Sequence, residues 1–124
     1  MAFWQEILGE EAQIARIMPN TPALIGEGVI LYCNNDAVAE AQVDYFVKAM
    51  SGAGLLDRID ENKIDAASAV SGCGPAFVYM FAEALADGAV ECGVPRDKAA
   101  LYAAQTLLGA AQMLLEFGHP ADLK

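Results

Sequence analysis

Apolar positions are spaced in two different ways along this chain, and the change falls at Val70-Ser71-Gly72-Cys73-Gly74-Pro75-Ala76-Phe77. Upstream, apolar residues cluster or alternate in short runs bounded by turn residues. Gln13 to Met18 has mixed polarity and branched side chains and stops at Pro19, which predicts a short strand. Val29-Ile30-Leu31-Tyr32-Cys33 is apolar throughout, the pattern of a strand covered on both faces. Leu55 to Ile59 is a third candidate strand, closed by Asp60-Glu61-Asn62. Phe3 to Gly9 reads as the tail of a helix that ends at a glycine. From Ala37 to about Met50 the spacing is helical, with Val38, Ala41, Tyr45 and Ala49 on one face and Phe46 beside them. Asn34-Asn35-Asp36 supplies an N-cap for that helix. The order is helix, strand, loop, strand, helix, strand: α/β alternation without the strands of a self-standing sheet.

Downstream the pattern is long, Ala-rich helix. Lys63 to Val70 predicts a short helix leading into the glycines. Pro75 to about Cys92 carries Phe77, Met80, Phe81, Ala84, Leu85 and Gly88 at i, i+3, i+4, i+7 and i+8. Gly93 caps it, and Pro95-Arg96-Asp97 opens a helix to about Phe117 that is apolar nearly all round. Such a helix belongs inside a bundle or against another subunit. His119-Pro120 ends it. The domains read from this pattern are residues 1–62, with strands, and 63–124, all helix.

Composition sharpens the same picture. The hydrophobic fraction of 56% in 124 residues is more apolar surface than one small monomer easily hides, so oligomerisation is expected. Seven basic against seventeen acidic residues, with no basic cluster, argue against nucleic acid and anionic membrane as partners. No apolar run approaches the ~18–20 residues of a membrane span, and the start lacks the basic and apolar regions of a signal peptide. Cys33, Cys73 and Cys92 are an odd, widely spaced set that fits reduced thiols in a cytoplasmic protein, and no metal site is read from them.

Chemistry concentrates at two places. Gly72 and Gly74 let backbone or ligand approach without a Cβ in the way, and Pro75 is a favoured first helical residue. The amides before it are a place for an anion or polar ligand group, although a tight helix–helix joint explains the same residues. Cys73 at a helix start is a candidate nucleophile, but a thiol nucleophile needs a base, and nothing brings the sole histidine, His119, near it. Catalytic residues are therefore not assigned. The second place is Pro19-Asn20-Thr21-Pro22, a rigid loop after a strand, where α/β folds put ligand contacts. Gly72-Cys73-Gly74 does not complete a dinucleotide fingerprint, because position 77 is Phe and a helix precedes it.

Longer strings carry a resemblance. Arg16-Ile17-Met18-Pro19-Asn20-Thr21-Pro22-Ala23 with Gly26-Glu27-Gly28, and Ser71-Gly72-Cys73-Gly74-Pro75-Ala76-Phe77, resemble two motifs of pyrroline-5-carboxylate reductases. Glu83 to Ala89, Gly93-Val94-Pro95-Arg96, Ala104 to Ala111 and His119-Pro120 to Leu123-Lys124 continue the likeness in order from about residue 5. The resemblance implies the last strands of a Rossmann-type domain followed by an all-α dimerisation domain. It implies hydride transfer from NADPH or NADH to the C=N bond of 1-pyrroline-5-carboxylate, a small-molecule substrate, giving proline. By the same likeness Met18, Pro19, Asn20 and Thr21 lie beside the nicotinamide, and Ser71, Gly72, Cys73, Gly74 and Pro75 line the substrate pocket. It implies a homodimer or higher homo-oligomer through helices 75–117.

Two departures qualify these expectations. The family's glycine-rich cofactor motif lies upstream of anything present, and its Ser/Thr/Gly-rich loop for the substrate carboxylate would follow Lys124. The chain thus reads as a middle-to-C-terminal fragment, silent in isolation; the alternative is an oligomerisation module derived from the family. Cys73 stands where many members carry Ser, a variation among small residues.

Overall fold

Strand β2 (Gly28–Asn34) is the centre around which the first part of the chain is built in the computed structural model, which describes residues 1–123. Lys124, the last residue of the resemblance and of the helical domain read from sequence, lies outside the described residues. β1 (Ala15–Met18) pairs with β2 antiparallel and β3 (Gly54–Arg58) pairs with it parallel, in the order β1-β2-β3. As the middle strand, β2 is paired along both edges, and its run of apolar residues is covered on both faces, as its composition predicts. Directly paired residues share a face. Ile17 and Tyr32 therefore point to one side, where Tyr32 meets Phe46 of α2 (Glu40–Met50) edge to face at 5.3 Å. Arg16 and Cys33 point to the other, where Arg16 donates to Asp65 of α3 (Glu61–Ser71) at 2.7 Å. Helices thus cover both faces, and Ile30 and Ile64 are the largest fully buried side chains. A short α1 (Ala2–Leu8) precedes β1 and leaves Phe3, Trp4, Ile7 and Leu8 exposed.

Two local expectations are corrected. The helix after β2 begins at Glu40 rather than at Ala37, and Asn35 does not cap it. The buried Asn35 amide accepts from Ile14 N–H at 3.1 Å and donates to the Ala12 carbonyl at 2.7 Å, a tertiary role that outcompetes the local one. Ala39 stands at the N-cap, its N–H satisfied by the Gln42 side chain reaching back from the first turn. The helix also faces differently. Val43 is buried and Phe46, Val47 and Met50 are half-buried, whereas Tyr45 is 76% exposed. Both stripes have helical spacing, and the Phe46–Tyr32 contact selects the one that faces the sheet.

Gly54 has a φ of +132°, and a Cβ there would lie 2.1 Å from the carbonyl oxygen of Gly28, its register partner. A Cβ on Gly28 would in turn lie 2.7 Å from Ala23, in the 3-10 turn Thr21–Ile25. This pair of glycines lets the turn press directly on the sheet.

Packing divides the chain between Pro75 and Ala76. α3 thus packs with the sheet, although the sequence pattern groups it with the later helices. α4 (Gly74–Glu91) opens in the first unit and continues in the second, with α5 (Arg96–Phe117). In the second unit Ala86, Ala99 and Ala103 form the buried core, with Ala89, Val90 and Val94 against it. The joint is a Schellman turn: Val94 N–H donates to Ala89 O and Gly93 N–H to Val90 O, with Gly93 at φ +91°. The larger apolar stripe of α4 is not in this core. Phe77, Met80 and Phe81 are 68%, 65% and 56% exposed.

One further difference concerns apolar length. α3 and α4 together, Glu61–Glu91, form a 31-residue helical stretch with a window of mean hydropathy 1.3, enough by length and composition to cross a membrane. The sequence from Ala66 to Ala82 carries no charged residue, because small and aromatic residues fill both sides of the glycine joint. Within the first unit Ile64 of this stretch is only 1% exposed, packed with the sheet.

Two outcomes follow from this packing. Gly54→Ala forces a Cβ into the Gly28 carbonyl and costs roughly 3 kcal/mol or more, read as a lower urea midpoint; an unchanged midpoint contradicts the close approach. Burial pushes the Cys33 thiol above its ordinary 9.0; the Glu61 carboxylate adds to this and Arg16 offsets part. The folded chain holds that proton more tightly than the unfolded chain. The resulting stability is fully present below the ordinary pKa and is lost as pH rises through the folded value. As pH rises above 9.0 the urea midpoint should therefore fall more steeply in the wild type than in Cys33→Ala. Equal slopes contradict this.

Candidate functional site

The two motifs singled out in the sequence meet in the first unit. β1 ends at Met18, and Pro19 turns the backbone out of the strand. The 3-10 turn that follows has Pro22 near its start and Gly26 at φ +81° as its left-handed stop. α3 ends with Gly72, whose N–H and that of Cys73 both donate to the Ser68 carbonyl, at 2.7 and 3.2 Å. A Cβ on Gly72 would lie 3.2 Å from Met18 Cε, so the glycine lets the end of α3 close onto the methionine.

Between these segments lies a cavity of about 670 Å³. Met18, Pro19, Asn20 and Thr21 line one side and Gly72 and Cys73 the other. Ser71 is not among the lining residues; its carbonyl accepts from Asn20 Nδ2 at 2.8 Å. Gly74 and Pro75 begin α4 and are not among the lining residues. Ala23, Leu24 and Ser68 complete the wall and were not singled out in the sequence. Ser68 was accessible to sequence reasoning, since it lies four residues before Gly72 on a helix. Leu24, 90% exposed, carries no periodic signal inside a single 3-10 turn. One expectation changes: the amides of Gly72 and Cys73 are not open to an anion, because the end of α3 in right-handed conformation turns both onto Ser68.

Among the described residues, the groove wall holds small, apolar and neutral polar groups and no charged side chain. Such a wall can position a flat or small ring and exclude water; it offers no acid or base to move a proton. A larger cavity, about 900 Å³, opens near Arg16, Cys33, Arg58 and Glu61. Its charged groups pair among themselves and with neighbours: Arg16 with Asp65, Arg58 with Glu40 at 2.9 Å, Lys63 with Asp60 at 2.9 Å, and Glu61 with the Met1 amine.

A family model described as pyrroline-5-carboxylate reductase dimerisation matches residues 61–124. The chain belongs to the pyrroline-5-carboxylate reductase family. Pyrroline-5-carboxylate reductase 3 of Xenopus laevis is 43% identical over 114 residues, covering 91% of this chain and 42% of that protein. The reductase of Pisum sativum is 41% identical over 121 residues, covering 97% and 44%. In structure, the Plasmodium falciparum pyrroline carboxylate reductase with NADP bound matches at a TM-score of 0.89 and 36% identity, over 99% of this chain and 49% of that one. The chain spans less than half the length of these relatives. Among pyrroline-5-carboxylate reductases, then, it corresponds to a sheet remnant of Rossmann type followed by the helical dimerisation domain, whose match opens where α3 opens.

Gly72→Ala would set a Cβ 2.9 Å from the Ser68 carbonyl oxygen and 3.2 Å from Met18 Cε, so it should shift the end of α3 and the Met18 methyl and cost roughly 1–2 kcal/mol by overpacking. The checks are the Met18 methyl resonance and the urea midpoint. An unmoved methyl would show that the two walls do not touch as described.

Proposed function

We propose that this chain supplies the substrate-facing groove and the dimerisation helices of a reductase that converts 1-pyrroline-5-carboxylate to L-proline with NADPH or NADH. The observation that carries this reading is the meeting of Met18-Pro19-Asn20-Thr21 with Gly72 and Cys73 around one uncharged groove, in a chain of this family. The reduced nicotinamide, when bound, would supply a hydride to the imine carbon; the imine nitrogen takes its proton from solvent water, so that C=N becomes HC–NH. The chain's own residues bind and orient: Pro19 and Gly72 keep the walls narrow, Met18 gives an apolar surface, and Thr21 offers a hydroxyl. That division of labour suits hydride transfer, which asks mainly for positioning. The groove fits a nicotinamide ring and a pyrroline ring. It does not suit a pyrophosphate, since none of the described lining residues is basic.

The second unit supports assembly. Phe77, Met80, Phe81 and Leu85 lie exposed on α4, and Leu101, Leu108 and Leu115 on α5. These faces would pair in a homodimer or higher homo-oligomer through helices 75–117. An odd, widely spaced cysteine set supports a reducing, cytoplasmic setting. The reading of an oligomerisation module without activity is favoured by one observation, the coverage of less than half of each relative.

One assay separates the two readings. The chain alone should leave NADPH and NADH unoxidised in the presence of 1-pyrroline-5-carboxylate. Grafted in place of the matching segment of the Pisum sativum reductase, it should restore turnover. A folded graft without turnover contradicts the reductase reading and leaves the silent module. Assembly is tested by sedimentation: the wild type should run as a dimer or larger, and Phe81→Glu should weaken association by roughly thirtyfold or more, about 2 kcal/mol. A monomeric wild type contradicts the assembly.

A further inference from the structure

The register of β1 and β2 identifies a role for Asn20 that its place in the motif does not reveal. Paired positions in this ladder sum to 49: Ala15 with Asn34, Arg16 with Cys33, Ile17 with Tyr32, Met18 with Leu31. Continued by two residues, the same register sets position 20 opposite Val29. The strand has stopped there, since Pro19 has turned the backbone away, yet Val29 N–H is satisfied. It donates to the side-chain oxygen Asn20 Oδ1 at 2.9 Å. The other half of the same amide, Nδ2, donates to the Ser71 carbonyl at 2.8 Å. That carbonyl belongs to the last turn of α3, one of the groups a helix leaves without an internal partner. Both ends of the Asn20 amide are therefore engaged with backbone, one on β2 and one at the end of α3.

We propose that Asn20 is a positioning residue: its side chain replaces the missing rung of the ladder and ties the loop of Pro19 and Thr21 to the end of α3, fixing the distance between the groove walls. It stands beside the cofactor position as a strut and offers the cofactor no side-chain group. Its importance for catalysis rests on the reductase reading above, whereas the strut itself does not. Only a side chain with a donor and an acceptor on one planar, short group spans both bonds. Asp keeps the acceptor for Val29 and sets an oxygen against the Ser71 carbonyl, and Ala removes both bonds.

Amide hydrogen exchange of the whole chain, read residue by residue by NMR, tests the strut directly. In Asn20→Asp, Gly72 and Cys73 should exchange about tenfold faster while Val29 stays protected. In Asn20→Ala all three should accelerate, and Ala103 of α5 should serve as the unmoved reference in both. Unchanged Gly72 and Cys73, acceleration of Val29 in the Asp variant, or an equal rise at Ala103 would overturn the proposal. In the Pisum sativum graft, Asn20→Asp should lower kcat about tenfold with the KM for the reduced nicotinamide cofactor within about twofold. A raised cofactor KM at constant kcat would make Asn20 a cofactor ligand and overturn it too. A silent graft with the exchange pattern intact fails the reductase reading and leaves the strut standing.

Discussion

The β1–β2 ladder is closed at each end by an asparagine side chain, and the rest of the first unit depends on that closure. At one end Asn20 occupies the position opposite Val29; at the other, Asn35 lies opposite Ile14, exchanging Asn35 N–H to Ile14 O at 3.0 Å and Ile14 N–H to its own Oδ1. Four paired positions make a short strand, and short pairs of strands are marginal alone. A neutral hydrogen bond contributes only about 1 kcal/mol net, but a buried backbone group left unmade costs more. The asparagines let the ladder end without leaving such groups, and they free the backbone to turn. At the Asn20 end that turn becomes the groove wall. At the Asn35 end it becomes the loop that leads to α2.

Helices and strands were legible in the sequence because their physical signals are local. The all-apolar run at Val29–Cys33, the stop at Pro19 and the cap at Gly93 each determine structure within a few residues. What was not legible depends on partners distant in sequence. Asn35 has the chemistry of a helix cap and is used on Ala12 and Ile14 instead. The helix of Val43 has two stripes of similar spacing, and the aromatic contact of Phe46 with Tyr32 decides between them. The candidate site divides the same way. Met18 to Thr21 and Gly72-Cys73 were visible as motifs, and their meeting in one groove follows from the fold. Leu24 and Ser68, which complete the wall, carried no motif of their own.

In the second unit small residues and large ones have separate tasks. Ala86, Ala99 and Ala103 let α4 and α5 pack closely, so the unit's internal core uses little of the apolar surface the sequence provides. Phe77, Met80, Phe81 and Leu115 remain outside it. The same surplus explains why Glu61–Glu91 has the length and apolarity of a membrane span. A family whose matching domain is described by dimerisation suggests a use for that surplus: in the assembly proposed above, a second copy would cover it.

The proposed reading makes the groove between Met18–Thr21 and Gly72–Cys73 the surface for a pyrroline-sized ligand. Titration of the chain with L-proline, the product of the proposed reaction, followed by amide NMR, tests it most directly. Saturable shifts confined to Thr21, Ala23, Gly72 and Cys73 are expected. Shifts clustered instead around Arg16, Arg58 and Glu61, or a spectrum that does not move, would contradict it.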